Sequence, residues 1–124
     1  MKKLIPALAV VGAIAAVTTG TALAAPAAAP ATALKVTAVA SGLKFSTSSL
    51  KAKAGKITIT LTNASPLPHD LVVEAGEKIL AKTPMLAKGK SGSLTVTLKK
   101  GTYDFVCDVP GHEDAGMKGK LVVS

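Results

Sequence analysis

The chain has 124 residues, 15 Lys+Arg against 7 Asp+Glu for a formal net charge of +8, and 48% hydrophobic residues; this length suits one domain. Every basic residue is lysine, and the aromatic residues are only Phe45, Tyr103 and Phe105. The arginine forks that read bases and the rings that stack on them are therefore missing, which argues against nucleic-acid binding. Cys107 is the sole cysteine, which excludes an internal disulfide, so an aliphatic core or a metal has to hold the fold.

Met1-Lys2-Lys3 is a positive start. Residues 4–17 are apolar apart from breaks at Pro6 and Gly12, and Ala22-Leu23-Ala24 ends in the small-x-small pattern that a signal peptidase reads. The apolar run is shorter than the roughly 20 residues that span a bilayer, so a cleaved signal peptide over 1–24 is expected rather than a retained anchor. Its removal leaves 100 of the 124 residues and, with Lys2 and Lys3 gone, takes the charge from +8 to +6. There is no Arg-Arg pair to direct twin-arginine export, and no cysteine stands at the cut to carry a lipid. The expected location is the exported side of the cell envelope, periplasmic or extracellular.

Residues 25–33 form a Pro/Ala run with nothing to bury or pair, read as an extended tether. A single domain is expected over 34–124. In it, Leu34–Val36 and Leu43–Phe45 begin period-two patterns. Ile57, Ile59 and Leu61 alternate with Thr58, Thr60 and Thr62, and Leu94, Val96 and Leu98 alternate with Thr95, Thr97 and Lys99. His69–Val73, Thr102–Cys107 and Lys118–Val123 bring the expected strands to about seven. Lys99-Lys100-Gly101 joins two alternating runs and reads as a hairpin turn. Residues 74–90 lack a clear period, with Pro84 interrupting them, and read as a long connection. Short strands with one aliphatic face each predict an all-β, Greek-key antiparallel β-sandwich.

The chemistry concentrates in residues 103–117. Tyr103, Phe105 and Cys107 alternate, so one strand face carries Cys107 between the sheets. Four residues separate Cys107 from His112 and four more separate His112 from Met117. Pro110 stiffens this loop, while Gly111 and Gly116 permit tight turns. A thiolate, an imidazole and a thioether aimed at one point lack only a second imidazole to form a trigonal copper site with a long axial bond. The chain has two histidines, and the other, His69, follows Pro66-Leu67-Pro68 at a strand start that a sandwich can place beside the Cys107 loop. Singly, each residue has a plainer reading: a buried small thiol, a core methionine, a surface imidazole. The joint pattern of the only cysteine, both histidines and a closely spaced methionine favours the metal.

The run Cys107-x4-His112-x4-Met117, with Pro110-Gly111 before the histidine and Gly116 before the methionine, resembles the ligand loop of the cupredoxins, the blue copper proteins related to plastocyanin and azurin. Leu67-Pro68-His69 is similar to their upstream ligand loop, and the likeness covers roughly residues 34–123. The resemblance implies a Greek-key sandwich holding one type 1 copper ion and carrying single electrons between larger redox partners. It also implies that His69, Cys107 and His112 bind copper in the plane with Met117 axial, and that an imidazole edge of His112 is exposed. Two positions depart from the commoner pattern. Asp70 stands where the family often has Asn, and Asp108 where it often has Thr or Ser. An ionised Asp70 accepting backbone N–H bonds from the Cys107 loop is expected to favour Cu(II) and lower the redox potential.

Pro66, Leu67, Pro68, Val109, Pro110 and Ala115 offer an apolar docking patch around His112. The charge of +6 is expected to steer the protein, as a monomer, toward acidic redox partners. No histidine remains for the additional copper centres of a reductase or oxidase, and a metal-bound Cys/His pair is not a free nucleophile, so no enzymatic activity is expected. The alternative reading is copper storage, delivery or sensing at the envelope. It is the weaker one because exchangeable Met or His clusters are missing. Zinc on Cys107 and both histidines would leave Met117 without a purpose.

Overall fold

Strand β3 shows how this sequence makes its layers. Ile57, Ile59 and Leu61 are fully buried while Thr58, Thr60 and Thr62 face outward, as the two-residue repeat of a strand requires. The computed structural model describes residues 31–124; the leader expected over 1–24 and most of the tether lie outside the described residues. Eight strands follow in order: β1 Thr32–Ala38, β2 Ser49–Ala52, β3 Gly55–Asn63, β4 Val72–Ala75, β5 Lys78–Lys82, β6 Ser91–Leu98, β7 Gly101–Val106 and β8 Lys118–Val123. They form two sheets, one in the order β1-β3-β6 and the other β2-β8-β7-β4-β5. Among the described residues there is no helix, and so none long and apolar enough to cross a membrane.

The inner faces meet in one core. Val36, Ile57, Ile59, Leu61, Leu94 and Leu98 of the smaller sheet pack toward Leu50, Val73, Phe105, Leu121 and Val123 of the larger. Each such aliphatic side chain contributes about 1.5–3 kcal/mol on full burial. The outer face of the smaller sheet is a polar ladder. Thr58 bonds Thr95 at 3.1 Å, Thr60 bonds Ser93 at 2.9 Å, and Thr62 bonds Ser91 at 3.0 Å across β3 and β6.

The all-β sandwich agrees with the expectation; several connections do not. The sandwich is not antiparallel throughout, because β1 pairs with β3 and β2 with β8 in parallel. Side-chain alternation fixes which face is buried but carries no information on a neighbour's direction. Lys99-Lys100-Gly101 is not a hairpin: β6 and β7 lie in different sheets, so the turn arches across the sandwich. The Tyr103 hydroxyl closes that arch by donating to the Lys99 carbonyl at 2.8 Å. Residues 74–90 are not one long connection, since β5 pairs with β4 around Gly76-Glu77. This is an edge strand with Ile79 half exposed, so it lacks the alternation that marks a buried strand. Leu43–Phe45 contributes only an isolated bridge from Phe45 to Ala38, and the Phe45 ring instead packs on Phe105 at a centroid distance of 5.6 Å. β1 begins at Thr32, so Thr32 and Ala33 of the expected tether pair with β3.

Three of the crossings between sheets, residues 39–48, 64–71 and 83–90, lie at the same end as the β7–β8 loop. That end gathers the residues singled out above. At the start of β8, Gly119 lies opposite Phe105, and a Cβ there would come within 2.6 Å of both the ring edge and the Ser48 carbonyl oxygen. Gly119→Ala is therefore expected to destabilise the fold by about 1–3 kcal/mol through overpacking. The check is a lower urea midpoint with an unchanged slope.

Candidate metal centre

Cys107 follows the last residue of β7 and is fully buried. Its backbone N–H donates to the Met117 carbonyl at 3.1 Å, and the Met117 N–H donates to the His112 carbonyl at 3.1 Å. The loop between them is thus closed on itself at both ends. Further turns tighten it, with His112 N–H donating to Val109 O at 3.0 Å and Gly116 N–H to Glu113 O at 2.9 Å. Gly111 and Gly116 have φ of 83° and 107°, a region side chains disfavour, so these two positions need glycine.

His69 arrives from the crossing between β3 and β4. It is fully buried and forms a two-way bridge with Leu86, N–H to Leu86 O at 3.1 Å and Leu86 N–H to His69 O at 2.8 Å. The crossing is stapled by Asn63, a fully buried side chain at the end of β3 that the sequence reading did not single out. Its Nδ2 donates to the Leu67 and Leu86 carbonyls, each at 2.8 Å, and its Oδ1 accepts from Ser65 N–H at 2.9 Å. The signal was present: period two from Ile57, Ile59 and Leu61 puts residue 63 on the inner face, where an amide must find partners. The two ligand-bearing segments are tied together by Asp70, 4% exposed, whose Oδ1 accepts from Asp108 N–H at 2.7 Å. This is the backbone contact expected of Asp70.

These anchors bring three donor atoms together. Cys107 Sγ lies 3.7 Å from His69 Nδ1 and 3.6 Å from His112 Nδ1, and the two Nδ1 atoms are 3.1 Å apart. The point equidistant from all three is about 2 Å from each, a bonding distance for a metal ion to imidazole nitrogen or thiolate sulfur. Met117 is fully buried at the same end. Burial and the neighbouring His112 hold the His69 imidazole below its ordinary pKa, partly opposed by Asp70. Burial pushes the Cys107 thiol up, against backbone N–H bonds from Asp70 and Val109. The imidazoles of His69 and His112 then face one thiol, and a metal ion would release the thiol proton. Among the described residues this is the one group of three or more His, Cys, Asp or Glu placed to hold a metal. A thiolate and two imidazoles without carboxylate suit a copper or zinc ion better than a hard cation.

A family model described as a cupredoxin-like domain matches residues 8–123. The chain belongs to this family of blue copper proteins, and the donor set fits its cofactor, one type 1 copper ion. Auracyanin-B of Chloroflexus aurantiacus is 54% identical over 46 residues, 36% of this chain and 20% of the relative. The copper-resistant cuproprotein CopI of Pseudomonas aeruginosa is 48% identical over 40 residues, 32% and 22% of the two chains. The chain thus spans about a fifth of the length of each of these two relatives. Among solved structures, the dithionite-reduced auracyanin of Roseiflexus castenholzii superposes with a TM-score of 0.71 at 27% identity, covering 77% of this chain and 99% of that one. An azurin of Methylomonas sp. strain J superposes with a TM-score of 0.66 at 18% identity, covering 77% and 99%, a likeness of fold.

The shifted groups set a pH profile for the metal-free chain. Below the ordinary imidazole pKa of 6.5, the unfolded His69 takes a proton that the folded one resists, so stability falls as pH drops through that range. Above 9.0, the unfolded Cys107 loses a proton that the folded thiol keeps, so stability falls as pH rises. Urea midpoints across this range are expected to pass through a maximum between the two limbs. His69→Gln should flatten the acid limb and Cys107→Ser the alkaline one.

Proposed function

We propose that this protein is an exported electron carrier in which His69, Cys107 and His112, with Met117 beside them, would hold one copper ion. The observation that carries the reading is the 3.1, 3.6 and 3.7 Å triangle of His69 Nδ1, His112 Nδ1 and Cys107 Sγ. Copper bound there supplies a one-electron couple; the chain supplies rigidity and access. Asn63 fixes the His69 crossing, Asp70 ties it to the Cys107 loop, and the Cys107–Met117–His112 backbone bonds close that loop. Donors held this way move little when the charge between them changes.

His112 is the half-buried member of the triad, while Cys107 and His69 are fully covered. Electrons therefore enter and leave by its edge. Leu67 and Met85, 47% and 53% exposed, with Pro66, Pro68 and Pro110, make an apolar rim for a protein partner. The positive net charge, with Lys88 and Lys90 on the 83–90 crossing and Lys118 at the start of β8 at that end, favours an acidic redox protein that a monomer meets and leaves quickly. The leader-like residues 1–24 support export to the periplasm or beyond. With both histidines of the chain in one site, none remains for a second copper centre, and the protein has no reaction of its own to catalyse.

The likeness to a copper-resistant cuproprotein favours copper handling as a second reading. Visible spectra separate the two. Adding Cu(II) to the chain beginning at Ala25 is expected to give an intense thiolate-to-copper band that bleaches and returns with reductant and oxidant, and that Cys107→Ser abolishes. A pale spectrum, or copper that leaves on reduction, would overturn the electron-carrier reading and favour the second.

The Asp70 carboxylate beside the site favours the more highly charged copper state. Asp70→Asn keeps an oxygen for the Asp108 N–H while removing a negative charge. The midpoint potential in a redox titration is expected to rise. An unchanged or lower value would remove this role.

A further inference from the structure

We propose that the end of the sandwich opposite the metal centre is a docking surface for an anionic lipid bilayer, seated on Lys53, Lys56, Lys99 and Lys100 with Lys51 at its margin. The strand register gathers these residues from both sheets. Gly55 lies opposite Leu98, Lys56 opposite Thr97, and Gly101 opposite Val123, while Ala54 N–H donates to Ser124 O at 2.9 Å. The β2–β3 turn carrying Lys53 and the β6–β7 arch carrying Lys99 and Lys100 therefore flank one end. All five lysines are exposed. The ion pair found among the described residues joins Lys120 to Asp104, so none of the five is neutralised by a partner there.

Carboxylates are sparse at this end, where Glu77 in the β4–β5 turn is the one nearest the start of β7. The seven of the chain are Asp70, Glu74, Glu77, Asp104, Asp108, Glu113 and Asp114, while the segments 49–58, 95–103 and 121–124, which carry and surround the five lysines, contain none. A carboxylate at Ser124 would offset a single charge. The charge excess is thus localised rather than spread as a solubilising coat.

Two further observations select the occupant. First, β7 runs the length of the sandwich from Gly101 to the residue before Cys107, roughly 20 Å at the rise of a strand. An acidic redox protein captured by these lysines would sit that far from the donor atoms, so the cluster is poorly placed for electron docking. Second, the chain enters the fold here: Thr32, the first residue of β1, pairs with Ile57, next to Lys56. The residues before Thr32 leave from the lysine end, and the apolar run 4–17 lies upstream on the same segment. Seven residues from Ala25 to Ala31 reach at most about 25 Å when extended. Until the leader is cut, the end nearest the headgroups is the one carrying the lysines, and after the cut the lysines are what would hold it there. Each lysine within a Debye length of an anionic surface adds about 1 kcal/mol, roughly fivefold in partitioning. Docked this way, the bilayer covers the lysines and His112 faces the aqueous phase.

All residues of the described core cluster lie between Leu34 and Val123, so the chain from Ala25 to Ser124 carries the fold and can be tested without the leader. Its co-sedimentation would be measured with vesicles of phosphatidylcholine containing about one third phosphatidylglycerol, and with phosphatidylcholine alone. Binding is expected to the anionic vesicles only and to weaken with salt. Replacing Lys53, Lys56, Lys99 and Lys100 together by Gln should lower the partition coefficient at least about tenfold. Replacing Lys35, Lys44, Lys82 and Lys88, also exposed, removes the same charge and should lower it less than about threefold. Urea midpoints establish that both variants remain folded. Equal losses in the two variants, or no binding of the parent, would overturn the proposal. Because the measurement needs no copper, its failure is distinct from failure of the electron-carrier reading.

Discussion

A thiol and two imidazoles packed within 3.7 Å of one another, two of them out of reach of water, are a costly arrangement unless a cation joins them. Buried polar groups need partners. Here the two facing Nδ1 atoms can share a single proton at best, and the buried Nε2 of His69 has no partner among the described residues. The protein supports this arrangement by enclosing it in bonds that do not depend on the metal. The His69–Leu86 bridge, the three bonds of Asn63, the Asp70–Asp108 contact and the closed Cys107–Met117 loop all converge on one end. The two sheets beneath supply the stiffness that makes those bonds matter. Aliphatic burial far from the metal thus determines how precisely the donors meet.

The site was easier to read from the sequence than the topology, and the reason is physical. A soft metal site needs rare side chains, and this chain has one cysteine and two histidines, so their grouping left few alternatives. The loop geometry was legible as well, because glycine at 111 and 116 is demanded by positive φ. Strand direction was not. Alternation at Ile57–Leu61 and Leu94–Leu98 assigns an inner and an outer face, but a parallel neighbour reads the same as an antiparallel one. The Lys99-Lys100-Gly101 turn looked like a hairpin for a related reason. A turn between two strands of one sheet and an arch between two sheets use similar residues, and only the mutual burial of Leu98 and Phe105 in one core separates them.

Two misses share a different cause. β5 and Asn63 both break the rule that the inner face is apolar and the outer face polar. β5 is an edge strand whose Ile79 remains half exposed, so composition concealed it. Asn63 is polar yet fully buried because its amide replaces the backbone partners that an irregular crossing gives up. Sequence patterns describe the regular part of a fold. The residues that hold the irregular parts in place are the exceptions to those patterns, and they stand beside the site.

Charge follows the same division of labour. Carboxylates crowd the metal end and the outer face of the larger sheet closely enough that Glu74 is pushed above its ordinary pKa, first by burial and then by Glu113, Asp104, Asp108 and Glu77. A chain with a net charge of +8 would keep such neighbours apart if solubility alone governed their placement. Asp70 is different in kind, since its oxygen joins two loops. Asp108, Glu113 and Asp114 lie on the loop between Cys107 and Met117, while lysines without a carboxylate partner occupy the end where β1 begins. The charge of this chain is therefore uneven along its strands, with acidic side chains gathered on the loop that carries His112 and exposed lysines on the β2–β3 turn and the β6–β7 arch.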